Sequence, residues 1–169
     1  MSLSQSLLPE FDQEMASTRK TLERVPGEKF SWKPHEKSGA MGWLAGHLAN
    51  IPGWAVETIT KDGFDMNPGG KGFQPPLVPK TREELLELLD KNVAAARSAL
   101  AGASDADLGK NWSFLNNGVS VFSMPRMACL LTWVMNHMIH HRAQLGVYLR
   151  LNNIAVPAIY VPSADEGGM

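Results

Sequence analysis

The chain has 169 residues, 44% of them hydrophobic, and 16 basic against 17 acidic residues leave a formal charge of −1. That length suits one domain with its own core, and that composition excludes a disordered chain. The near-neutral balance supplies no field that would draw the protein to nucleic acid or to an anionic membrane, so neither is expected as a partner.

Cys129 is the single cysteine, which excludes an intrachain disulfide and fits a reducing compartment. No basic stretch and no apolar run precede Glu10, Asp12 and Glu14, so a secretory signal is not expected. The best apolar run, Met127 to Met135, is far short of the about 20 residues that span a bilayer. A cytoplasmic protein is the expectation.

The first element is a helix near 5–25, because Leu7, Leu8, Phe11, Met15, Thr18, Leu22 and Val25 recur at steps of three and four. Pro26-Gly27 ends it, and a polar connector through Pro34 follows. Ser38 can cap a second helix near 39–60, whose stripe is Met41, Leu44, Leu48, Ile51, Ala55 and Ile59, with Pro52 predicted to kink it. Residues 61–80 show no period. Their stretch Met66 to Pro79 holds four Pro and three Gly, and is expected to be mobile or ordered by a partner chain.

Thr81-Arg-Glu-Glu84 is a capping-box pattern opening a third helix near 82–101, with Leu85, Leu88, Leu89, Ala95, Ala96 and Leu100 inside. Residues 103–122 are ambiguous: Asn116-Asn117-Gly118 is a turn signal, and one short helix or a hairpin fits. Ser123, with Pro125 in the first turn, is expected to cap the fourth and clearest helix, near 124–151. The tail from Ile154 has no helical period. Four striped helices make an all-α chain, a four-helix bundle with a long connection between helices two and three.

The chemistry lies in Asn136-His137-Met-Ile-His140-His141-Arg142. Residues four apart on a helix differ by about 40° in azimuth and about 6 Å in height, so His137 and His141 stack on one face. Leu130, Trp133, Gln144, Leu145 and Tyr148 share that side, while Arg142 points away and His140 sits at its margin. His47 shares the apolar face of Leu44, Leu48 and Ile51. Three neutral imidazoles from two helices would hold one divalent ion and leave positions open for water and substrate, the pattern of catalytic metal sites. His140 is not expected to join them, because its azimuth differs from that of His141 by about 100°.

A lone histidine on an apolar face is more often a satisfied core residue, and it is the spaced pair that argues for metal. His35 reads as an exposed loop residue. Trp43, Trp54 and Trp133 read as bundle core, and Cys129 as a buried structural thiol. The pair lacks the Glu that zinc proteases carry after their first His. Gly70-Lys71-Gly72 lacks the frame of a phosphate loop.

With these residues in view, the chain resembles the DinB-like family, the DinB/YfiT-like superfamily of metalloenzymes. The resemblance rests on Leu44-Ala-Gly-His47-Leu-Ala, on Asn136-His137-Met-Ile-His140-His141-Arg142-Ala-Gln144-Leu145 and on the ending Val156-Pro-Ala-Ile-Tyr160-Val-Pro-Ser163-Ala-Asp165-Glu166. Thr18-Arg19 and Trp32-Lys-Pro-His35 fit as well, and Ala143 stands where many members carry Gly. The resemblance covers nearly the whole chain and makes 1–169 a single domain. It implies a four-helix bundle of unusual topology, a histidine triad mapping to His47, His137 and His141, and a homodimer. The implied activity is metal-dependent transfer of a low-molecular-weight thiol to an electrophilic small molecule, the ion being Zn, Ni, Mn or Fe. Metal-dependent hydrolysis and a non-catalytic, stress-linked metal protein are the rival readings. Catalytic residues are not identified; Asn50, Tyr148, Tyr160 and Asp165 are candidate helpers.

Overall fold

The computed structural model describes residues 2–73, 76 and 78–167. Helix α1 spans Leu3–Leu22 and opens on a reciprocal cap: the Ser2 hydroxyl accepts from the Gln5 amide while the Gln5 side chain accepts from the Ser2 amide. It buries Leu7, Phe11, Met15, Thr18 and Leu22, the stripe that the spacing predicts.

Helix α2 spans Met41–Thr60. Ser38 does not cap it; Ala40 stands at the N-cap with no side-chain bond. The connector does that work instead, because the Met41 and Gly42 amides donate to the Trp32 and Phe30 carbonyls, each at 2.9 Å. The helix continues through Pro52. In the turn before it, the side-chain amides of Asn50 and Asn92 donate to the carbonyls of Gly46 and Ala49.

Helix α3 spans Arg82–Gly102, with the Thr81 hydroxyl accepting from the Glu84 amide. The expected capping box is only half formed: Glu84 takes the Lys80 amide rather than that of Thr81. The short helix α4, Asp105–Gly109, follows.

An all-α chain is not what forms, since a three-stranded sheet accompanies the helices. Strand β1 (Gly63–Asp65) pairs in parallel with β2 (Asn111–Asn116), which pairs antiparallel with β3 (Val119–Pro125). Asn117 and Gly118 both have positive φ, 51° and 77°, as a two-residue hairpin turn demands. Asp65 ties this turn to β1: its carboxylate accepts from the amides of Asn67, Asn117 and Gly118, and these bonds hold its pKa below the usual carboxylate range. Gly63 is required by close approach, because a Cβ there would lie 2.5 Å from the Ser113 carbonyl oxygen. The β2–β3 hairpin is the one that the Asn116-Asn117-Gly118 turn signal offered, whereas β1 has three residues and meets β2 about fifty residues on, so no alternation along the chain announces it.

Ser123 is therefore a strand residue, bonded to the Ser113 hydroxyl, and Pro125 stands before the last helix. That helix begins as α5 (Arg126–Cys129), passes without interruption through a π-helical segment (Leu130–Asn136), and continues as α6 (His137–Leu151). Wide π turns of this kind are frequent at functional sites.

The four long helices pack in pairs: α2 on α3, α1 on α3, and both α1 and α2 on α6. Leu48, Ile51, Leu85, Leu89, Met138, Leu145 and Leu149 are among the fully buried side chains between them. Each such side chain contributes about 1.5–3 kcal/mol by leaving water. Of the connection 66–79, residues 74, 75 and 77 lie outside the described residues, whereas Val78 and Pro79 pack against Gly46 of α2. Among the described residues no helix is long and apolar enough to cross a membrane.

Candidate metal centre

Helices α2 and α6 lie side by side, and their contact carries His47 toward His137 and His141. One turn of α6 separates the latter two, so their rings lie side by side with centroids 4.6 Å apart and planes tilted by 44°. The Nε2 atoms converge: His137 Nε2 lies 2.8 Å from His141 Nε2 and 3.2 Å from His47 Nε2. All three residues are half-buried.

The partners of the remaining ring nitrogens decide where the protons sit. His141 Nδ1 is 2.7 Å from the Gln144 side-chain oxygen, an acceptor, so Nδ1 carries the hydrogen and Nε2 is a lone pair. The His141 Nε2 lone pair faces His137 Nε2 at 2.8 Å, and a cation drawn in beside them would be ligated by the neutral rings. Nitrogen atoms bound to one ion at about 2.0–2.1 Å stand roughly 3.0–3.4 Å apart, close to the separations seen here. The donor set fits a divalent transition metal.

The electrostatics favour the same state. Burial, then the neighbouring His141 and His137, lowers the His47 pKa to about 4. Burial lowers those of His137 and His141 as well, against the pull of Trp133 and Gln144 respectively. All three are thus neutral at physiological pH, the form that ligates metal.

Aromatic rings surround the cluster. Trp43 stacks on His47, with centroids 5.2 Å apart and planes 6° apart. Trp54 stands edge-on to both His47 and His137, at 5.4 and 5.3 Å, and Trp133 edge-on to His137 at 6.2 Å. The expectation that these three tryptophans form the bundle core is corrected for two of them: Trp43 is 48% and Trp133 36% exposed, whereas Trp54 is half-buried and packs against the core. All three also flank the histidines. Gln144 was not singled out as a ligand-orienting residue from the sequence; its position three after His141, one helical turn on, is the signal that finds it.

The other candidates go elsewhere. His140 is exposed and touches only the flank of His141, while His35 is exposed and accepts the Lys37 amide. Asn50 bonds the Gly46 carbonyl, Tyr148 the Gly39 carbonyl, and Asp165 the Arg150 guanidinium. Tyr160 joins a buried network in which Arg142 pairs with Glu14 at 2.6 Å and bonds Thr18. Among the described residues no hydrogen bond links these four helpers to the histidines. Cys129 is buried, 3.7 Å from the Thr58 hydroxyl, and burial raises its pKa.

The sequence profile of the DinB superfamily matches residues 10–145, so the chain belongs to the DinB superfamily. Solved structures share its fold, two of them as follows. One is a DinB-like protein from Bacillus cereus ATCC 10987, 23% identical, covering 92% of this chain and 97% of its own, with a TM-score of 0.69. The other is a DinB-like protein from Bacillus subtilis, 19% identical, covering 94% and 99%, with a TM-score of 0.70. No curated protein matches the chain.

Proposed function

We propose that the protein is an enzyme that binds one divalent transition metal through His47, His137 and His141 and transfers a low-molecular-weight thiol to an electrophilic small molecule. The observation that carries this reading is the convergence of three Nε2 atoms, that of His137 lying 2.8 Å from that of His141 and 3.2 Å from that of His47. A metal bound there is a Lewis acid that lowers the pKa of a coordinated thiol and makes thiolate available at neutral pH.

The protein's own residues prepare that chemistry. Gln144 holds the proton on His141 Nδ1, so that ring offers its Nε2. Trp43 and Trp54 exclude water from His47 on two sides. In the transfer itself the thiol proton leaves to solvent, a C–S bond forms, and the leaving group departs with the electrons of its bond to carbon. Hydrolysis is the weaker reading, because no carboxylate or tyrosine of the described residues bonds to the cluster to take a proton from water.

The same reading takes the four long helices as a four-helix bundle, the active species as a homodimer in the cytoplasm, and the ion as Zn, Ni, Mn or Fe according to supply. The test is elemental analysis of protein from an unsupplemented host, followed by a thiol–electrophile assay with and without chelator. About one equivalent of metal and chelator-sensitive transfer are expected. Metal-free protein that takes up no added Zn or Ni would refute the assignment.

A further inference from the structure

A cavity of about 250 Å³ lies between α2, the sheet and the π-helical segment. Six aromatic residues line it: Trp54, Phe64, Phe73, Trp112, Phe114 and Trp133. Several present near-parallel faces: Phe64 to Phe114 at 22° and Phe114 to Trp133 at 25°. Flat faces so arranged select flat ligands, since ring stacking adds to area burial only when the ligand is itself planar.

Charge is absent from the wall apart from Glu57, and that carboxylate is paired with Lys61 at 2.6 Å. No cation lines the cavity among the described residues, so an anion would be desolvated there without a partner. For scale, an apolar cavity of roughly 150 Å³ holds benzene. The space here accommodates a second ring.

The cavity adjoins the histidines, because Trp54 and Trp133 belong to both. We infer that this cavity is the pocket for the electrophile and that it selects uncharged, planar aromatic molecules of one or two rings. The assignment of the occupant as the electrophile rests on the function proposed above; its selectivity rests on the cavity alone.

The probe is 2-naphthol, neutral and planar, titrated into the full-length protein by calorimetry beside cyclohexanol and 2-naphthalenesulfonate. One-to-one binding of 2-naphthol is expected, with the other two weaker by about tenfold or more. Val134→Phe, which fills the cavity, should weaken 2-naphthol by about tenfold as well. Phe64→Ala and Phe73→Ala remove half-exposed rings without hollowing the core. Each should weaken binding by about threefold or more, and they decide the matter if Val134→Phe does not fold. Unchanged affinity in these variants, or equal binding of all three probes, overturns the inference. His47→Ala should keep 2-naphthol while losing metal. If wild-type protein binds 2-naphthol but no metal, the proposed function falls and the cavity's selectivity stands. If it binds metal and transfers thiol to small aliphatic electrophiles but ignores 2-naphthol, the cavity inference falls alone.

Discussion

Two polar clusters hang from opposite sides of α6, and they end differently. On one side Arg142 reaches α1, where Glu14, Thr18 and Tyr160 satisfy it with side-chain exposures of 5% for Arg142 and 6% for Glu14. Every charge there has its opposite within the protein. On the other side His137 and His141 meet His47 with their Nε2 atoms turned toward one another. A closed network specifies how helices sit; an open one of matching donors waits for something the chain does not supply. The contrast sets a buried ion pair satisfied within the protein against a cluster of three histidines that could hold a metal ion, both on a single helix.

The largest effect that would break this contrast is loss of metal. His47→Ala, His137→Ala and His141→Ala should each remove nearly all bound metal, measured by mass spectrometry, with the fold retained by circular dichroism. His140→Ala should keep it, because that exposed ring lies outside the cluster. Metal retained in His137→Ala and lost in His140→Ala would reverse the assignment.

On the opposite face the expected cost is stability, not metal. Arg142→Met strands the buried Glu14 carboxylate and should cost about 3–5 kcal/mol in urea denaturation. Adding Glu14→Gln should recover part of that loss. Full metal content in the folded fraction of either variant is expected.

Gln144→Ala tests the support of the open cluster. The fold should be unaffected, and metal affinity by competition with a chromogenic chelator should fall roughly 10–100-fold, the usual cost of losing a partner that orients a ligand. Gln144→Glu, which keeps the acceptor, should restore most of it.

The smallest effect is that of pH on metal-free protein. The unfolded chain binds a proton at His47 near pH 6.5, whereas the folded protein resists it down to about 4. Between those values the unfolded state carries more protons, so stability should rise with pH and level off above about 6.5. Thermal melts at successive pH values should show this slope in the metal-free protein and a shallower one in His47→Ala.

How much of this was legible beforehand depends on how local the cause is. The four long helices fall within a few residues of their expected limits, because each announces itself by a stripe at three- and four-residue steps. The pairing of His137 with His141 follows from one turn of helix, and the inward turn of His47 from its neighbours Leu44, Leu48 and Ile51. Local signals also misled. Ser38 and Ser123 resemble caps, yet the Phe30 and Trp32 carbonyls take over the first role and strand pairing claims the second residue.

The amino-acid sequence by itself determined the helices, their inward faces and the histidines those faces carry, since periodicity and side-chain chemistry are properties of neighbouring residues. Only the tertiary structure decided that β1 meets β2, that Trp43 and Trp133 flank the histidine cluster rather than fill the core, and that an aromatic cavity stands beside it. Those features join residues tens of positions apart, and no pattern along the chain encodes a contact whose two halves become neighbours only when the helices have packed.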